Sequence, residues 1–264
     1  MRLFGILFLA AAALEGAGLE LTLRSRVEPF KGSGEWQEVQ IKRTLPVKET
    51  AIVICDMWDK HWCAGATRRV DALAPKMAAL IDQARARGVQ IVHAPSDVMD
   101  FYRDDPHRRA ILAVSPAAPP TDLALSDPQL PIDDADGGCD TGEPSYIAWT
   151  REHPALRIAG DDVISDNGRE IYSLLHAKGI RNLLVMGVHT NMCILNRSFA
   201  IKQMTKWGIR CVLVRDLTDA MYDPRDLPFV THERGTELVV EHIEKYWCPS
   251  VLSSAVRLAL ARVR

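Results

Sequence analysis

Two residues that come after apolar runs are placed to do chemistry together, Cys193 and Asp56. Cys193 closes the stretch Gly187-Val188-His189-Thr190-Asn191-Met192-Cys193, which follows the apolar run Leu183-Leu184-Val185-Met186. An apolar run of that length reads as a strand covered on both faces. After it, Met192, Leu195, Phe199 and residues 201–204 carry a helical spacing that stops at Trp207-Gly208. Thr190 or Asn191 supplies the N-cap of a helix over 191–207, with Cys193 in its first turn. Unpaired N–H groups and the helix dipole favour an anion there, so the thiol is expected to ionise more readily than a free cysteine. The bland alternative is a small buried hydrophobe. Asp56 ends the run Ala51-Ile52-Val53-Ile54-Cys55, and its bland reading is a solvated loop carboxylate or a helix cap. If the two strands are neighbours, the carboxylate and the thiol face each other across the crevice at the carboxyl edge of a parallel sheet. A base beside a nucleophile is what covalent catalysis needs.

The elements that must position this pair follow from hydrophobic periodicity. Strands are expected at 51–55, 89–93, 162–164, 183–186, 209–214 and 250–253, and helices at 66–87, 170–178, 191–207 and 233–246. Gly88 and Gly179 stop the first two helices. Strands alternating with helices at this spacing predict an α/β fold, an open and mostly parallel doubly wound sheet with helices on both faces. Before it, residues 19–50 alternate apolar and polar around Lys31-Gly32-Ser33-Gly34, which reads as an N-terminal β-hairpin extension. Residues 94–160 hold most of the prolines and little periodicity beyond a short helix near 106–114. A long irregular insertion at the carboxyl end of a strand reads as a lid or binding loop.

With 264 residues and 47% hydrophobic content the chain can bury a full core as one domain, 51–264, plus extensions. With a net charge of −2, no basic tract and few aromatics, nothing points to nucleic acid or an anionic membrane as partner, and neither is expected. A small-molecule substrate is expected, and a homo-oligomer is compatible with the composition. Met1-Arg2, an apolar run from Leu3 to Leu14 and small residues at 16–18 have the grammar of a secretory signal over 1–18, cleaved near Gly18. The protein is then exported, periplasmic or secreted, without membrane contact after cleavage. In an oxidising compartment the six cysteines could pair. A free Cys193 leaves at most two disulfides, and Cys139 with Cys63 is one candidate pair.

The apolar strand ending in Val53-Ile54-Cys55-Asp56, the run into Gly187–Cys193 and Val214-Arg215-Asp216 together resemble the isochorismatase-like cysteine hydrolases, a superfamily of nicotinamidases, N-carbamoyl amide hydrolases and isochorismatase. The resemblance covers about 51–254, interrupted by 94–160. It implies a catalytic aspartate, lysine and cysteine, and a cis peptide just before His189. Asp56 would take the proton from Cys193, whose thiolate attacks a carbonyl carbon, with His189, Thr190 and N–H groups at the helix start holding the oxyanion. The family's Val-Ile-Lys is here Val163-Ile164-Ser165, and no lysine lies between Lys76 and Lys178. Arg151 or Lys60 is the candidate replacement for its charge, although a guanidinium is a poor proton donor. The expected activity is hydrolysis of an amide or ureido C–N bond. The alternatives are vinyl-ether hydrolysis with Asp56 as acid, and a silent relative that binds a ligand or builds an oligomer.

Other side chains near the strand ends have lesser claims. Trp58 and Trp62 wall an apolar pocket or pack under the lid, and His61 belongs to the same loop. His61, His93 and Asp59, with His189 and Asp97 nearby, are candidate ligands for a divalent metal such as nicotinamidases hold beside the thiol, but the aspartate-and-two-histidine pattern of those enzymes is not reproduced. No cofactor is required by the mechanism. The acidic run at 133–140 looks like a calcium loop without its closing glutamate, and reads better as a solvated acidic turn.

Overall fold

The computed structural model describes residues 17–263, in which eight strands form one sheet in the order β2-β1-β8-β7-β6-β3-β4-β5. The strands are β1 (Gly18–Val27), β2 (Gln37–Pro46), β3 (Thr50–Cys55), β4 (Gln90–Ala94), β5 (Val163–Ile164), β6 (Asn182–Val188), β7 (Arg210–Asp219) and β8 (Ser250–Val251). The helices are α1 (Ala64–Ala86), α2 (Pro106–Leu112), α3 (Gly168–Ala177), α4 (Cys193–Asn196), α5 (Ile201–Lys206), α6 (His232–Tyr246) and α7 (Ser253–Arg262). The expected signal over 1–18 lies, apart from its last two residues, outside the described residues. No helix among the described residues is long and apolar enough to cross a membrane.

Strands β3 and β6 are apolar throughout because both faces are covered. Successive side chains point to opposite faces, so Val53, Leu183 and Val185 join α3, α5 and α6 in one core, while Ile52, Ile54, Leu184 and Met186 join α1 and α7 in the other. Helix α1 meets its core through Val70, Ala74, Met77, Ile81 and Ala84, a spacing of three and four that keeps one stripe on the sheet. Burying a leucine or isoleucine side chain stabilises the fold by about 1.5–3 kcal/mol, and β3 and β6 do so on both faces at once.

Strand β3 lies between β6 and β4, parallel to both, with Ile54 opposite Met186 and Cys55 opposite Gly187. The chain leaves β3 toward β4 and later returns to its other side as β6. The switch point therefore falls between the strands that end at Asp56 and Val188.

The expected hairpin is present, and the helices differ from expectation at two places. The hairpin pairs without a break from Gly18↔Pro46 to Val27↔Gln37, and it joins the main sheet through β1 and β8. Leu19, Leu21 and Leu23 enter the core of α1 and α7, while Arg24 and Arg26 bind the buried carboxylate of Glu244 on α6. Helix 191–207 is two short helices, because Arg197 takes an extended ψ of 150° that ends α4. Helix α7 was not foreseen, although Val256, Ala259 and Leu260 carry a helical spacing in its sequence.

Residues 94–160 form α2 and otherwise run irregularly. They touch α5 through Asp122 and Asp127, reach Asn191 through Asp134 and α1 through Asp140, and return beside β3. On the return, Trp58 bridges Glu152, and His153 donates its N–H to the carbonyl of Met57.

Candidate active site

Asp56 and Cys193 meet at the switch point. Asp56 is fully buried with φ at 48°, a left-handed turn that a short polar residue tolerates better than most. One carboxylate oxygen accepts the N–H of Ser96 at 2.7 Å and the other accepts Nε of Arg197 at 2.8 Å. The Cys193 sulfhydryl is near enough to this carboxyl group for each to shift the other's pKa. Burial pushes the Asp56 pKa upward against the pull of Arg197. Burial also pushes the Cys193 pKa well above the ordinary thiol value, and the Asp56 charge adds to it, while Arg197 and the N–H of His189 work the other way. The resting thiol is thus protonated, beside an Asp56 carboxyl group paired with a guanidinium. The expected low thiol pKa is corrected, because α4 is a four-residue turn whose weak dipole does not offset burial and a neighbouring negative charge.

The cation is Arg197, which sequence reasoning missed. It also binds Asp97 at 3.1 Å, and its signal was its place four residues after Cys193, on the same face of a helical turn. Neither proposed substitute stands there. Arg151 lies over the Phe101 ring and its carbonyl accepts the N–H of Asp59, and Lys60 makes no ion pair among the described residues. Ser165, in the position of the family's lysine, is buried and hydrogen-bonded to Glu170.

Backbone geometry brings the thiol into place. Gly187 has φ at 123°, and a Cβ there would lie 2.0 Å from the Cys55 carbonyl, so only glycine lets β6 pass β3 this closely. The Val188–His189 peptide is cis. Thr190 is not an available oxyanion donor, since its N–H goes to the Asp219 carbonyl and its hydroxyl to Thr218. The N–H groups of Asn191 and Cys193 have no acceptor among the described residues.

Aromatic rings wall the sulfur. Trp58 and Trp149 stack with centroids 4.3 Å apart, His61 stacks on Trp149 at 5.7 Å, and Trp62 lies 5.2 Å from His61. Cys193 packs against the Trp58 cluster. Trp149, which comes from the insertion, was not foreseen. His61 and His189 meet edge to face at 4.9 Å. Burial holds both neutral, with pKa values lowered to about 4 and about 3, and His189 Nε2 is buried without a partner. A polar cavity of about 630 Å³ borders the pair on the Arg197 side, lined among others by Ser96, Asp97 and Trp207.

The proposed metal ligands do not converge. His93 is fully buried, with Nδ1 on Glu152 at 2.7 Å and Nε2 on Asp162 at 3.2 Å, so neither nitrogen faces the thiol. Asp59 accepts the N–H and hydroxyl of Thr150. These residues do not fit a metal shared with His61. All six cysteines are thiols in this structure, and Cys63 and Cys139 lie close together.

No protein-family model matches the chain, and no curated protein matches it. Solved structures do. A cysteine hydrolase from Pseudomonas syringae pv. phaseolicola aligns over 83% of this chain and 96% of its own, with 17% identity and a TM-score of 0.52. An isochorismatase from Pseudomonas putida aligns over 79% and 90%, with 15% identity and a TM-score of 0.48. N-carbamoylsarcosine amidase from Thermoplasma acidophilum aligns over 78% and 96%, with 13% identity and a TM-score of 0.44. The structural alignment shows the fold: this chain has the isochorismatase-like α/β fold, shared with the P. syringae cysteine hydrolase.

Proposed function

We propose that the protein hydrolyses an amide or ureido C–N bond of a small molecule through Cys193. The observation that carries this reading is the buried Asp56 carboxyl group, held by Arg197 at 2.8 Å and close enough to the Cys193 thiol to shift its pKa. As sulfur attacks the carbonyl carbon, Asp56 takes its proton, so no second negative charge accumulates beside the carboxylate. The carbonyl π electrons move to oxygen, and the free N–H groups of Asn191 and Cys193 stabilise that oxyanion. Collapse expels the amine, which receives the proton from Asp56 and leaves a thioester on Cys193. Water then attacks the thioester, Asp56 takes the water proton, and the acid departs as the proton returns to sulfur. Arg197 stays charged throughout and keeps Asp56 basic, which a guanidinium does without donating a proton. The aromatic wall of Trp58, Trp62 and Trp149 favours a substrate with a flat or apolar portion.

A turnover screen against amides, ureido compounds and nicotinamide tests the reading. Cys193→Ala and Asp56→Asn are each expected to lower kcat/KM by at least about a thousandfold. Turnover that survives Cys193→Ala but not Asp56→Asn would instead assign acid chemistry to Asp56. The upward pull of burial on its pKa favours that second reading, vinyl-ether hydrolysis. An inert thiol with no turnover would return the chain to a ligand-binding role. Export rests on the composition of residues 1–18, and N-terminal sequencing of the protein recovered from culture tests it.

A further inference from the structure

One group of donors lies outside the Asp56–Cys193 pair. The Sγ atoms of Cys63 and Cys139 and a carboxylate oxygen of Glu143 lie within 4.8 Å of one another, the only such group of three among the described residues. They come from segments distant in sequence. Cys63 caps the N-terminus of the 23-residue helix α1, and Cys139 and Glu143 belong to a turn of the insertion. Cys63 is fully buried and Cys139 is 7% exposed. The Cys139 thiol points at Glu143 Oε2 at 3.4 Å, and the Thr141 hydroxyl touches both sulfurs, at 3.3 and 3.5 Å, and the same carboxylate. The Cys63 thiol also meets Asp140 Oδ1 at 3.4 Å, a carboxylate already engaged by Arg69.

We propose that Cys63, Cys139 and Glu143 bind a zinc-class divalent cation that fastens the insertion to the start of α1. Two sulfurs and one oxygen form a soft donor set that selects zinc over calcium or magnesium. Bond lengths of about 2.3 Å to sulfur and about 2.0–2.2 Å to oxygen set tetrahedral ligands of one ion about 3.5–3.8 Å apart. The observed 3.4 Å between Cys139 Sγ and Glu143 Oε2 is close to that edge. The Thr141 hydroxyl touches all three donors, the two sulfurs at distances close to the same edge, so it stands where the fourth ligand of a tetrahedral ion would. A disulfide would use the two sulfurs and leave the convergence of Glu143 without a role. Binding releases the thiol protons to solvent and requires no oxidant. The clasp would steady the loop of His61 and Trp62, which the proposed function puts in the substrate wall, because the Cys63 N–H donates to His61 Nδ1 and Gly137 lies beside Trp62.

The test uses the full chain, reduced and then transferred to reductant-free anaerobic buffer, with Co²⁺ as the optical probe. One equivalent is expected to give thiolate-to-metal charge-transfer absorption that Zn²⁺ abolishes by displacement. The signal should persist in Cys193→Ser, disappear in Cys139→Ser and need at least about tenfold more Co²⁺ in Glu143→Gln. Absence of the band while all six thiols remain titratable would overturn the proposal. So would a band that survives Cys139→Ser. Peptide mass analysis of protein isolated without reductant is expected to find Cys63 and Cys139 unlinked, and a disulfide between them would also overturn it. If Cys139→Ser does not fold, the wild-type titration and Cys193→Ser decide the question.

Discussion

Arg197 sets the charge balance of the candidate site. Its guanidinium lowers the pKa of both Asp56 and Cys193 against the opposing effect of burial. Arg197→Met should therefore shift the pH midpoint of Cys193 alkylation upward by about one unit or more. Arg151→Met and Lys60→Met should leave it in place, and an unchanged midpoint in Arg197→Met would show that another group supplies the charge. His93 makes a second residue-scale prediction. Burial alone would lower its pKa, but Glu152 and Asp162 outweigh burial and raise it to about 9. A folded-state pKa above the unfolded value of about 6.5 adds stability that is full below about pH 6.5 and lost as pH rises through about 9. Urea midpoints should thus fall between about pH 7 and 8.5, and His93→Gln should flatten that fall. His61 and His189 act in the other direction, since their lowered values cost stability as pH drops below about 6.5.

At the scale of elements, the break between α4 and α5 decides where Arg197 points. The extended ψ at Arg197 ends the turn, and from there its Nε reaches Asp56 at 2.8 Å. The start of α3 holds this break. A Cβ on Gly168 would sit 2.1 Å from the Ser198 carbonyl oxygen, and the Gly168 N–H donates to the Ser198 hydroxyl at 3.0 Å. Gly168→Ala should push the break away, costing about 1–3 kcal/mol as an overpacked contact does, and raise the Cys193 alkylation midpoint. Denaturant unfolding and alkylation of the same sample check both parts, and an unchanged stability would mean that the backbone yields freely there.

The whole molecule is one sheet whose edge is extended by the hairpin. Glu244 has a fully buried side chain and accepts from Arg24 at 2.7 Å and Arg26 at 3.2 Å, so the hairpin carries the cations for a charge on α6. Removing both partners leaves that carboxylate buried with Ser250. Arg24→Ala with Arg26→Ala should cost about 2 kcal/mol, below the value for fully buried pairs because the arginines are partly exposed. Adding Glu244→Gln should recover part of the loss in urea unfolding, and a double variant as stable as the parent would show that packing of Leu19, Leu21 and Leu23 alone holds the hairpin.

The sequence alone determined the elements that repeat a pattern. The apolar runs at 51–55 and 183–186 read as central strands because both faces of β3 and β6 are covered, and the hairpin alternates because only one face of β1 is buried. Asp56 and Cys193 were readable from the same runs, since Asp56 directly follows the first and Cys193 closes the turn after the second. What only the tertiary structure decided are contacts between segments distant in sequence. Arg197 reaches Asp56 because a helix breaks where α3 packs, Trp149 reaches Trp58 because the insertion returns along β3, and His93 is taken by Glu152 and Asp162. Periodicity reports which face of an element is buried, but charge pairing and ring stacking depend on which distant segment arrives there, and no local pattern encodes that.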